Sequence, residues 1–208
     1  MKTMSRFAFL WKSVNAHGLH SPFVYQVADK CFYRNTSHLK YYHNSQSVLP
    51  KEAVSILEKI ITGLKPVKLY VPDDPKGTAT ALIREIAEVH NQQVWFFSPM
   101  APVPGTIDLA YFSAETNTSV PQLLARIREV SCENSACIVG DIRKTPEAEA
   151  AWYEVTSQPE ATVTIDFYHI GLVFFRPAQA KQHFLIRPFR SFWADALFGV
   201  KNLWGLLG

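Results

Sequence analysis

Between Ala136 and Arg187 the chain spells out a strand, a capped helix, a long strand, a reversal and a last strand. Ala136–Ile142 is an apolar run of the length and composition of a strand buried on both faces. Thr145-Pro146 then opens a helix. The Thr hydroxyl can accept an orphan backbone N–H, Pro suits the first helical position, and Glu147 and Glu149 complement the helix dipole. Ala161 to Arg176 reads as one long strand, Pro177-Ala178-Gln179 as its turn, and His183 to Arg187 as the returning strand. A strand–helix unit that runs into such a hairpin leaves few architectures open. It asks for a layered sheet with helices on its faces and an antiparallel end.

The upstream half supplies the rest of that sheet. Pro50 opens a helix in which Val54, Leu57, Ile60, Ile61 and Leu64 recur at helical spacing, and Gly63 and Pro66 end it. Val67–Val71 is a short apolar strand, and Pro72-Asp-Asp-Pro-Lys-Gly77 is a turn. Thr78 is placed to cap a helix bearing Leu82, Ile83, Ile86 and Ala87. Strands at Gln93–Phe97 and Ile107–Phe112 follow, separated by a proline-rich loop, and a helix with Leu123, Leu124, Ile127 and Val130 starts at Ser119. This alternation predicts a mostly parallel sheet covered on both faces. Ser21-Pro22 opens an N-terminal helix that puts Phe23, Val27 and Cys31 on one face. The expected organisation is a helical N-terminal cap at 1–49, an α/β domain at 50–190 and an amphipathic tail helix at 191–208.

With 48% hydrophobic and 19% charged residues, the 208-residue chain has the material for one packed core and is poorly suited to disorder. Its net charge of +3 is spread without a basic stripe, so no nucleic-acid partner is expected. Cys31, Cys132 and Cys137 are odd in number and badly spaced for zinc or a disulfide framework, which points to free thiols in a reducing compartment. Phe7–Trp11 is too short and lacks the cleavage site of a signal peptide, and nothing approaches the ~20 apolar residues of a membrane span. A cytoplasmic location is the expectation. No P-loop, zinc motif or Ser-His-Asp order occurs.

Three strings, together with the order of elements, resemble a bacterial branch of the class I S-adenosylmethionine-dependent methyltransferases. They are His17-Gly-Leu-His-Ser-Pro-Phe23, which is similar to that branch's His-Gly-x-His-Ser-Pro-Phe signature; Gly140-Asp-Ile142 with the helix through Trp152; and Val163–Phe167 with Gly171–Arg176 and His183–Arg187. The matched stretches cover about half the chain. The resemblance implies a Rossmann-like sheet, S-adenosylmethionine as cofactor and a small-molecule acceptor. It also locates the departures. The family's Gly-rich turn after the first strand is here Pro72–Gly77, with one glycine and two prolines, and the acid expected after the second strand is replaced by Phe97-Ser98-Pro99. Nine residues separate Phe97 from Ile107, too few for the helix, strand and helix that a full fold places there. The expected fold is therefore a reduced, methyltransferase-like sheet.

The candidate residues follow from these positions. Asp73, Asp74 and Gly77 sit in the turn that would bind the cofactor; the alternative for the two acids is a turn that caps the next helix. Asp141, at the end of a buried strand, is the candidate base or metal ligand, with helix capping as its alternative; as a lone acid it makes a poor metal site, and no metal is predicted. His20 is placed with Asp141 as a catalytic candidate through the resemblance, against a structural role in capping the helix at Ser21. Asp166 inside the hairpin needs a partner, with Arg176 or His183 as the nearest choices, and Gly171 marks a bulge or a close contact. The tail, with Trp193, Leu197, Trp204 and Leu207, is expected to pack on another subunit or on the parent fold, with a membrane surface as the weaker alternative. Two functions stay open: a small-molecule methyltransferase, or an inactive methyltransferase-fold protein that serves as a binding or scaffold module.

Overall fold

The computed structural model describes residues 3–14, 20–33, 49–177 and 179–187. Helices α1 (Arg6–Lys12) and α2 (Pro22–Ala28), the latter extended by a π-helical turn at Asp29–Tyr33, precede α3 (Lys51–Leu64). Then come β1 (Lys68–Asp73), α4 (Thr78–Val89), β2 (Trp95–Phe97), β3 (Ile107–Ser113), α5 (Val120–Glu129), β4 (Ser131–Gly140), α6 (Pro146–Ser157), β5 (Val163–Asp166), β6 (Gly171–Phe174) and β7 (Gln182–Leu185).

The strands form one sheet in the order β2-β1-β3-β4-β6-β5-β7. β1 to β4 are parallel, β6 runs antiparallel between β4 and β5, and β7 returns parallel to β5. This is the Rossmann-like, methyltransferase-like arrangement with an antiparallel hairpin that the sequence implies. Among the described residues no strand lies beyond β2, so the sheet is shortened at the edge where the sequence lacks a strand and its helices.

Alternation along the strands divides the core. Leu69, Leu109, Tyr111, Ile138 and Leu172 face a layer of α3 and α4, where Ile56, Leu57, Ile60, Ile61, Ile83 and Ile86 are buried. Phe112, Cys137, Val139 and Val173 face the other way, against Leu123, Ile127, Trp152 and Val155 of α5 and α6. Val24, Val27 and Cys31 of the N-terminal cap join the first layer. Cys31 and Cys137 are free and buried, and burial pushes the Cys31 thiol up to about 12. Val14 bridges to Ile186, so the N-terminal segment follows the strand direction beyond β7.

The capped helix is as expected: Thr145 Oγ1 accepts from Ala148 N at 3.1 Å, with Pro146 in the first turn. The hairpin is not. The chain already reverses at Phe167–Ile170, where Phe167 N–H donates to Ile170 O and Tyr168 takes φ 77°; the turn expected at Pro177 is present, with Gln179 N–H donating to Arg176 O at 3.1 Å, but it joins β6 to β7, which do not pair with each other. The expected single strand from Ala161 to Arg176 is therefore two short strands. Gly171 is a close contact as foreseen, because a Cβ there would collide with the Trp152 ring. The tail helix and its proposed interface fall on 191–208, outside the described residues. Among the described residues no helix is long and apolar enough to cross a membrane.

Candidate ligand-binding cleft

A cleft of about 290 Å³ opens at the carboxyl ends of β1, β3 and β4. The chain leaves β1 for β2 on one side and returns to β3 on the other, so the cleft sits where the strand order switches, the usual ligand position of open α/β sheets. Its volume is near the small end of the range for ligand pockets.

One wall is the β1–α4 turn, and its polar groups are already engaged. The Asp74 carboxylate accepts from Thr80 N and Thr80 Oγ1, both at 2.8 Å, and so caps α4 from outside the helix. Gly77 adopts φ 66° as the N-cap residue, and its N–H donates to Asp74 O at 3.0 Å. The helix begins at Thr78, with no side-chain cap from that threonine. Asp73 Oδ2 accepts from Thr116 Oγ1 and, at 3.4 Å, from Thr118 Oγ1 in the loop after β3. Pro72 and Pro75 have no N–H to offer. Of the alternatives for Asp74, the structure shows helix capping.

The floor is less committed. Asp141 follows β4 with φ 59°, a left-handed conformation in which Asp is among the better tolerated residues, and is 8% exposed. Ser113 Oγ donates to Asp141 Oδ2 at 3.2 Å, while Oδ1 accepts no hydrogen bond. Burial raises the Asp141 pKa, against the opposing pull of Lys144 and Ser113. Tyr111 is 3% exposed and lines the same cleft, and its hydroxyl makes no hydrogen bond with a described residue. Burial first, then Asp141 and Asp74, hold its phenol far above the ordinary range. The ring lies over Gly140: a Cβ there would stand 2.9 Å from Tyr111 Cζ and closer still to the hydroxyl. At the mouth, Lys144 Nζ pairs with Glu115 Oε2 at 2.5 Å.

Asp73, Asp74 and Asp141 thus share one cleft, and Gly77 lies at the edge of the turn without lining it. His20 is exposed, directly before the Ser21 cap of α2, and is not in the cleft wall. Tyr111, Ser113, Thr116 and Thr118 were missed in the sequence. The available signal was the polar run Ser113–Thr118 directly after a buried strand. Asp166 is paired, but with neither expected partner: Arg143 holds it through two guanidinium nitrogens at 2.8 and 2.5 Å, and Trp152 Nε1 donates at 3.3 Å. Among the described residues no three His, Cys, Asp or Glu side chains are grouped to hold a metal.

No family model and no curated protein matches the chain. A crystal structure of a Klebsiella pneumoniae protein assigned as an O-methyltransferase is similar over 77% of this chain and 93% of its own, with 11% identity and a TM-score of 0.40. The strand order, rather than this distant likeness, carries the fold assignment.

S-adenosylmethionine needs backbone donors and a free acid around the first turn, and an acid for its ribose hydroxyls. In that turn the Gly77 N–H is spent on Asp74 O, Pro72 and Pro75 offer none, and both carboxylates are engaged inside the fold. β2 ends at Phe97, and the hydroxyl of the next residue, Ser98, is turned back to accept from Met100 N at 3.3 Å. These residues do not fit the cofactor in the manner the resemblance implies.

Proposed function

We propose that this chain is a binding module on a methyltransferase-like fold. It takes a small polar molecule in the cleft floored by Tyr111 and Asp141 and does not use S-adenosylmethionine. One observation carries the reading: both carboxylates of the turn that would hold the cofactor are engaged within the fold, while the floor of the same cleft keeps a buried Asp141 oxygen without a partner, close to the Tyr111 ring. Unpaired polar groups in a concave, buried position are costly unless a ligand completes them.

A second reading, methyl transfer from S-adenosylmethionine to a small acceptor, is favoured by Asp141 alone. Burial raises its pKa, the direction that makes a carboxylate a better proton acceptor. Calorimetric titration of the purified protein with S-adenosylmethionine and S-adenosylhomocysteine, with and without Mg²⁺, decides between the two. The binding-module reading expects no heat at millimolar ligand from folded protein. Micromolar binding that weakens in Asp73→Asn or Asp74→Ala would overturn it in favour of the enzyme, and an acceptor screen would follow.

A further inference from the structure

We infer that the ligand of this cleft is a small organic amine, bound through its ammonium group at Asp141 with the Tyr111 hydroxyl beside it. The inference rests on the reading of the cleft as a small-molecule site and adds the ligand's charge and shape.

Charge comes first. Among the described residues four carboxylates line the cleft, Asp73, Asp74, Glu115 and Asp141, against two lysines, Lys76 and Lys144. Lys144 is paired with Glu115 at the mouth. Among the described residues Asp73, Asp74 and Asp141 are then balanced by the exposed Lys76 and by the pull of the already paired Lys144 on Asp141. Asp73 and Asp74 are satisfied by neutral donors alone, two threonine hydroxyls and the Thr80 N–H and O–H, so their charge is uncompensated although their hydrogen bonds are made. Such a concentration of one sign in a concave, partly desolvated site favours a cation.

The uncommitted groups then say where the cation sits. Asp141, more than nine-tenths buried, has one oxygen tied to Ser113 and one without a donor. An ammonium group offers three N–H donors, enough to complete a carboxylate oxygen and also reach a tyrosine oxygen. An anionic ligand would meet Asp141 with like charge, and a neutral alcohol would supply a single donor and leave the charge unbalanced.

Shape separates an amine from a metal ion. A hard divalent cation needs several oxygens converging on one point, and the carboxylates of this cleft form no such group. An extended molecule with a charged end is compatible with carboxylates spread along a wall. The cavity, about 290 Å³, confines it to a small one.

The test uses three probes of matched length on the full chain: 1,5-diaminopentane, 1,5-pentanediol and glutarate. Binding is followed by chemical shift changes of the backbone amides around Tyr111, Thr116 and Asp141. The expected result is a saturable response to the diamine alone, weakened at least about tenfold in Asp141→Asn, and weakened in Tyr111→Phe, with both variants folded by circular dichroism. Preference for the diol or for glutarate overturns the amine and leaves the small-molecule reading standing. A diamine response that Asp141→Asn leaves unchanged also overturns the assignment to this site. No response to any probe in the wild-type protein removes the amine inference and counts against the cleft as a binding site.

Discussion

Gly140 closes β4 directly beneath the Tyr111 ring, and the absence of a side chain there is what lets the hydroxyl reach the cleft floor. Gly140→Ala should displace the tyrosine and destabilise the protein by about 1–3 kcal/mol, the usual cost of overpacking a filled site. Denaturant titration checks this, and an unchanged midpoint would mean that the ring has room to move. The neighbouring Asp141 has the opposite character. Its folded-state pKa lies above its unfolded value because burial opposes the charge. For a carboxylate shifted in that direction the stabilising contribution is complete below the unfolded pKa and is lost as pH rises through the folded one. Asp141→Asn, which also suits the left-handed backbone, should therefore be more stable than the wild type at pH 7, with the difference shrinking at acid pH. Equal destabilisation at both pH values would contradict this. Neither residue's situation was legible in the sequence. Asp141 could be placed at a strand end, but which donors stand within reach of its two oxygens depends on how β3 and β4 stand side by side.

At the scale of elements, the β1–α4 turn shows how one acid can close a local structure. Asp74 reaches forward to Thr80 and supplies the acceptor that the N-cap glycine cannot. Asp74→Ala should cost about 1 kcal/mol, as for other lost helix caps, read from the denaturation midpoint. A cost well below that would show that Gly77 and water suffice. The helices and parallel strands were readable because their signals are local: Pro and Thr at helix starts, apolar runs of strand length, helical spacing of Leu and Ile. The hairpin reversal was not. Phe167-Tyr-His-Ile170 contains no Gly, Pro or Asn, and its first and last residues are buried, so it continues the apolar pattern of the strands it joins. Tyr168 adopts its positive φ because the flanking strands and the Arg143 contact to its carbonyl hold it there.

At the scale of the molecule, Arg143 ties distant parts of the chain together. Its guanidinium is bound to Asp166 at the end of β5 and lies 3.4 Å from Glu149 of α6, and Glu149 in turn accepts from the Met4 backbone N–H. Phe9 of α1 and Tyr168 of the hairpin face its charged group. With both side chains of the Arg143–Asp166 pair at 2% exposure or less, removing one leaves the other charge buried. Arg143→Met should cost roughly 3–5 kcal/mol and loosen the N-terminal segment, measured by calorimetry and by limited proteolysis ahead of α2. Full retention of stability would show that water replaces the arginine. The sequence by itself determined the order of the elements, the layers they form and the shortening of the sheet at β2, because each depends on hydrophobic period and chain length between neighbours. The tertiary structure alone decided that Asp166 pairs with Arg143, that Asp73 and Asp74 are spent within the fold, and that Tyr111 meets Asp141 over Gly140. Those partners are brought together by strand order and register, and a carboxylate's spelling in the chain carries no record of which donors will stand within reach of it.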